Sequence, residues 1–278
     1  FKQDEHYRQN QLIAYLEEVP FDLIVTLCDE SGARLFYPKD RLPNLRFLNY
    51  LTGYIKDAHK RLPYRDIHNR AIDVGYRGSV QPLTAGRLCY EKRQIGWAFE
   101  KHAKRRGLST DISSRRKDRF MGDAWYAFLG GCKATLGTES GASIVDIDGG
   151  VEREYEAFKK QCPRATDEEV LKHLERYEGG PQYRAIAPRH FEAAACFTVQ
   201  VMYEGYFQGI FQPNRHYIPL RRDYGNVDEV IDRVLDEKER QRITTCAYEE
   251  IICNPAYGYE AFVRRFDKKI YELLKEKM

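Results

Sequence analysis

Three short stretches of the chain join a charged side chain to glycine where an apolar run ends: Arg77-Gly78, Glu139-Ser140-Gly141 and Glu204-Gly205-Tyr206. Glycine lets a backbone approach a ligand closely, and the neighbouring charge or hydroxyl can hold a phosphate or a ribose. One such pair is an ordinary turn. Three at the ends of successive strands point to a shared cleft. A further stretch, Arg189-His190-Phe191-Glu192 followed by three alanines, sets an arginine and a glutamate at i,i+3 spacing on a helix. At that spacing they either pair with each other or reach a ligand. No GxGxxG follows an early strand, which disfavours an NAD oxidoreductase.

The elements that must position these residues follow from the apolar periodicity. Residues 5–18 read as a helix with Leu12, Ile13, Tyr15 and Leu16 on its apolar face, 21–28 as a buried strand, 31–37 as a short helix and 45–50 as a strand. Residues 56–70 are charged and aperiodic and read as a linker. A fresh strand over 71–76 ends at Arg77, and a long helix over 87–106 stops at Gly107. A helix over 119–129, a strand over 132–138, a short helix over 189–196 and a strand over 198–203 follow. Thr166 with Glu169 forms a capping box, and Asn226 with Glu229 marks another helix start. The last helix carries Phe262, Phe266, Ile270 and Leu273 on one stripe. Strand and helix alternate, so the expected fold is α/β and doubly wound, with ligands bound beyond the carboxyl ends of the strands.

Composition narrows the function. The chain has 278 residues, 42% hydrophobic and 31% charged, enough apolar material for a sizeable core. Its net charge of +3 (45 basic minus 42 acidic residues) is too weak to argue for nucleic acid, which is not expected as a partner. The basic runs 101–106 and 115–117 read as helix ends and loops. Seven cysteines without CxxC spacing fit a reducing cytoplasm, not a disulfide framework or a zinc site. The longest apolar run, near 21–28, is too short to span a bilayer. The chain does not begin with Met and is expected to be a fragment.

Segments 189–196, 201–206 and 216–220 resemble the C-terminal half of GT-B glycosyltransferases of the surface-polysaccharide type, and segments 75–92 and 122–141 fit the same family. The resemblance implies two Rossmann-like domains: residues 1–65 as an acceptor-side domain, expected to be incomplete, and 71–278 as the nucleotide-sugar-binding domain. The implied activity is sugar transfer from a nucleotide-sugar to an acceptor hydroxyl, on a glycan or another molecule. Glu192 matches the family glutamate that grips the ribose hydroxyls. The departing diphosphate develops negative charge, and without a metal that charge must meet cations; Arg77 and Lys92 are the expected ones. Glu139, Arg189, Glu204, Tyr206 and His216 complete the expected donor site. The family's common Glu-x7-Glu spacing is broken because position 184 is Arg, which leaves retention or inversion open.

Asp146-Ile147-Asp148 has the form by which GT-A-type enzymes hold Mn²⁺ or Mg²⁺. Two doubly wound halves fit GT-B better, so neither a metal nor another cofactor is expected. On the acceptor side, Asp4 and Glu5 match a family segment and are the expected catalytic carboxylates, able to take the acceptor proton. A sugar-nucleotide epimerase of GT-B shape and a non-catalytic nucleotide- or glycan-binding module are the alternative readings.

Overall fold

In the computed structural model, the structure describes residues 1–2, 5, 8–180 and 182–277. The chain opens with α1 (Gln9–Glu18), β1 (Leu23–Thr26), α2 (Glu30–Phe36), β2 (Arg46–Asn49) and the short α3 (Asp57–Lys60). The first helix starts at Gln9, later than its periodicity suggests, because Arg8 has left-handed backbone (φ 48°). Asp29 starts α2 by accepting a hydrogen bond from the Gly32 amide. Strands β1 and β2 pair in parallel, Leu23 opposite Arg46 and Thr26 opposite Asn49.

The rest of the chain runs β3 (Ile72–Arg77), α4 (Arg87–Arg105), β4 (Thr110–Ser113), α5 (Asp123–Gly130), β5 (Cys132–Gly137), β6 (Ser140–Ala142), α6 (Gly150–Gln161), α7 (Asp167–His173), β7 (Tyr183–Ala185), α8 (Pro188–Ala195), β8 (Val199–Tyr203), β9 (Ile218–Leu220), α9 (Val227–Leu235), α10 (Glu237–Ala247) and α11 (Tyr259–Lys277). Five strands form a parallel sheet in the order β4-β3-β5-β8-β9. Helices cover both faces, so the strands are apolar along their length: Val74, Leu136, Val201 and Ile218 are buried with Ile95 and Phe99 of α4 and Ile231 of α9. The chain leaves β3 toward β4 and returns on the other side to β5. The topological switch point therefore lies between β3 and β5. The antiparallel pair β6–β7 brackets α6 and α7 in the chain.

Two features depart from the sequence reading. The stretch read as a linker ends in an anchor: Arg70 is buried, and its guanidinium donates to the carbonyls of Tyr64, Cys132 and Cys196 and to the Thr198 hydroxyl. Five N–H donors need buried acceptors, and the amino ends of β5 and β8 supply them. Asn226 does not cap α9. Its amide instead accepts from the Arg221 amide and donates to the Pro219 carbonyl, closing the turn after β9.

The first unit also has no core of its own. Ile13, Phe36, Tyr37 and Phe47 share one cluster with Cys89 of α4, Ala142 of β6 and Tyr183 of β7. The last helix returns to this unit. Phe1 stacks on Phe266 and Tyr54 lies against Phe262, while Ile55 forms a parallel bridge with Gly258.

Candidate functional site at the sheet switch point

All five main strands are parallel, so Arg77, Ser113, Gly137, Tyr203 and Leu220 end at one edge of the sheet. Helix α8 starts at this edge with Pro188 at its first position, where a missing N–H costs nothing. Its first turn places two residues over the crevice between β3 and β5. Arg189 is half-exposed, donates to the Arg77 carbonyl (2.9 Å) and lies over the Tyr76 ring. His190 is fully buried. Its ring nitrogens lie 2.9 Å from the Gln200 side-chain oxygen and 3.2 Å from the Thr138 carbonyl. Burial pushes its pKa down to about 4, and the charges of Arg189 and Lys92 push the same way, against the hydrogen bonds to Gln200 and Thr138. The Lys92 carbonyl accepts from the Tyr76 hydroxyl, which sets that residue of α4 beside the end of β3. Lys92, through its carbonyl, and Arg189, through its guanidinium, thus both meet Tyr76 of β3.

Arg77 is not free to join them. Nε donates to the Asp118 carbonyl, Nη1 to the carbonyls of Tyr76 and Asp111, and Nη2 to the Asp111 carboxylate, while the guanidinium packs on Phe120 and Phe128. Its side chain is only 9% exposed. Four of its five N–H groups are taken by Tyr76, Asp111 and Asp118, so Arg77 braces β4 and the loop after it and is not a free phosphate-binding cation.

Glu139 is buried one strand further along. One oxygen accepts from the backbone N–H groups of Tyr206 and Phe207 (3.1 and 3.0 Å), and the other from Arg184 (2.8 Å). Its carboxylate thereby fixes the loop Glu204-Gly205-Tyr206. Glu204 and Tyr206 are both exposed at the sheet edge. Arg222, just past β9, donates to the Glu204 carbonyl and pairs with Glu91 of α4. Arg222 escaped the sequence reading because β9 is only three residues long; the Arg221-Arg222 pair directly after Leu220 is the signal that marks it.

Glu192 lies one turn further along α8 than Arg189, half-exposed, and its Oε2 accepts from the Trp125 indole N–H at 2.7 Å. Arg189 and Glu192 have no bond to each other; each takes a separate partner.

His216 is a correction. Strand β9 is parallel to β8, so the segment between them must carry the chain back to the amino-terminal edge before Ile218. His216 therefore sits at the far end of the sheet from the crevice, buried, with its ring against the Glu250 carboxylate (2.9 Å). Glu5 is a second correction. It is fully buried, and its two oxygens accept from the hydroxyls of Thr26 and Tyr37, both at 2.6 Å. A carboxylate enclosed in this way cannot reach an acceptor hydroxyl; it ties the end of β1 to α2. Asp4 lies outside the described residues.

Asp146 accepts from the amides of Val151 and Glu152 at the start of α6, and Asp148 from the Gly150 amide. The Asp-x-Asp triplet thus forms a turn and a helix cap. Among the described residues, no group of three or more His, Cys, Asp or Glu side chains is placed to hold a metal ion, and no helix is long and apolar enough to cross a membrane.

Between the two units lies a cavity of about 600 Å³, lined by Cys28 and Asp29 after β1, Asn49 at the end of β2, and Arg184, Tyr206 and Gln208 from the second unit. Gln208 bridges the units, accepting from the Ile186 amide and donating to the Leu27 carbonyl.

No family model matches the chain, and no curated protein matches its sequence. Solved structures do match its fold. An α-glucosyltransferase in complex with UDP-glucose and DNA containing an abasic site superposes with a TM-score of 0.52 at 11% identity, over 96% of this chain and 70% of that one. An α-glucosyltransferase in complex with UDP and a 13-mer DNA superposes with a TM-score of 0.50 at 11% identity, over the same shares. The fold is that of the GT-B glycosyltransferases.

Proposed function

We propose that the protein is a glycosyltransferase that binds a nucleotide-sugar at the β3/β5 crevice and transfers its sugar to an acceptor hydroxyl, with no metal ion. The observation that carries this reading is that the first turn of α8 sets Arg189 at the sheet switch point, on the Arg77 carbonyl and over the Tyr76 ring, with the Lys92 backbone beside the same tyrosine. That is where open α/β sheets bind ligands, and where a diphosphate would find cations. The UDP and UDP-glucose of the two structures named above supply the donor class to test first.

In this reading Arg189 and Lys92 take the diphosphate and offset the charge that develops as the sugar leaves. Glu192 takes the ribose hydroxyls. The cavity between the units, with Arg184 and Tyr206 on one wall and Asp29 and Asn49 on the other, receives the sugar and the acceptor. A hydroxyl-bearing glycan is the proposed acceptor class. Asp4 is the proposed acceptor-side carboxylate, the role from which burial removes Glu5.

Calorimetry with UDP on wild type and Glu192→Ala tests the assignment. Loss of a carboxylate that accepts from a diol should weaken binding by about tenfold or more. A folded variant with unchanged affinity would take Glu192 out of the site.

A further inference from the structure

We propose that Trp125 is a positioning residue for Glu192: its indole N–H holds one carboxylate oxygen and leaves the other turned to the ligand. The proposal rests on the donor-site reading above. Trp125 Nε1 donates to Glu192 Oε2 at 2.7 Å, while Oε1 of the same carboxylate has no hydrogen-bond partner among the described residues. A half-exposed glutamate on a helix ordinarily samples several rotamers. Fixing one of its oxygens removes that freedom before the ligand arrives, so less is lost on binding.

The indole is itself held. Its ring stacks on Phe128 (centroids 5.8 Å apart, planes 25° apart), and Phe128 packs on Phe120 at 4.9 Å. The Arg77 guanidinium lies 4.3 Å from the Phe128 ring and 4.7 Å from the Phe120 ring, and Arg77 is anchored to Asp111. A continuous stack thus runs from the end of β3 through α5 to the carboxylate on α8. This gives the buried Arg77 a role different from the expected one: it braces the support of Glu192 at a distance from the phosphates.

The geometry divides the work of the carboxylate. With Oε2 taken by the indole, Oε1 accepts from the ribose hydroxyls. Removing the indole N–H while keeping an aromatic ring should therefore blunt selectivity for the diol and leave the rest of the nucleotide's binding in place.

The test compares UDP with 2′-deoxy-UDP and 3′-deoxy-UDP by calorimetry in wild type, Trp125→Phe and Glu192→Gln, with folding checked by circular dichroism. Wild type should prefer UDP over at least one deoxy analogue. Trp125→Phe should lose about tenfold or more in UDP affinity, the worth of one hydrogen bond to a charged group, with little change for that analogue. The double variant Trp125→Phe/Glu192→Gln should lose less than the sum of the single losses. A merely structural tryptophan would weaken all three nucleotides equally. If wild type and Glu192→Gln discriminate as described but Trp125→Phe keeps the full preference for UDP, the positioning role is overturned and the donor site stands. If wild type binds none of the three nucleotides, or binds them equally, the assignment of Glu192 fails and the inference with it. Should Trp125→Phe misfold, Trp125→His, which can keep a ring N–H near the carboxylate, must restore the preference for UDP.

Discussion

Glu139 and Gly205 are 66 positions apart in the sequence, yet a Cβ on Gly205 would lie 2.7 Å from the Glu139 carboxyl group. The absence of a side chain at 205 is what lets the amides of Tyr206 and Phe207 close on that carboxylate. Gly205→Ala should therefore lift the loop and cost about 1–3 kcal/mol, the usual range for forcing extra atoms into a packed site. Urea denaturation measures the cost, and an unchanged midpoint would mean that the loop does not rest on Glu139 as described.

Arg77 and Arg189 should separate cleanly on mutation. Arg77→Ala leaves the carbonyls of Tyr76, Asp111 and Asp118 without their donor, so about 2 kcal/mol or more of stability should be lost. Arg189→Ala removes one bond to a carbonyl and should leave stability nearly intact, while weakening UDP binding more than uridine binding. Titrating both ligands against both variants checks this. Equal weakening of UDP and uridine in Arg189→Ala would take that residue off the diphosphate.

If Arg189 and Lys92 meet the leaving diphosphate as proposed, in place of a divalent ion, turnover should survive EDTA. Asp146→Ala should lower the melting temperature by removing the cap of α6 and leave the specific activity of the folded fraction unchanged. Activity abolished by EDTA and restored by Mn²⁺ would reverse both expectations.

His190 predicts a pH dependence of stability. Its folded pKa of about 4 lies below the ordinary histidine value of 6.5. The unfolded chain therefore binds a proton that the folded chain refuses as pH falls from about 6.5 to 4. Stability is full above pH 6.5 and is lost on acidification, by about 2 kcal/mol between pH 7 and 5. In His190→Gln that slope should flatten. Glu239 and Glu250, held down to about 2 by their arginine partners (and by His216 in the case of Glu250), act only below pH 4.5 and do not blur this window. Wild type and variant with identical slopes from pH 7 to 5 would contradict the buried, neutral ring.

Periodicity located several of the long elements but not the twelve-residue α6 (Gly150–Gln161). The boundaries of β3, α4 and β5 and the Thr166–Glu169 capping box of α7 could be read within a residue or two because dense apolar runs and cap chemistry mark them. Strands β4, β6, β7 and β9 are only three or four residues long, too short to show a period, and with β9 went the placement of His216 and Arg222. The three strand-end glycine motifs did mark one edge of the sheet. What the sequence could not show was direction. Arg77 ends its strand as expected, yet its guanidinium turns sideways into carbonyls and aromatic rings, and Glu5 is enclosed by hydroxyls contributed from positions 26 and 37. Both depend on contacts between distant parts of the chain that no local spacing encodes.

The central claim is that the β3/β5 crevice binds a nucleotide-sugar, and its most direct test is chemical denaturation of the wild type and of Glu192→Ala with UDP-, ADP- and GDP-sugars. A ligand present at a hundred times its Kd raises the unfolding free energy by about 2.7 kcal/mol. A gain of that size is expected for one nucleotide class in the wild type, with most of it lost in Glu192→Ala. If no nucleotide-sugar shifts the wild-type curve at millimolar concentration, or if Glu192→Ala gains as much as the wild type, the crevice is not the donor site described here.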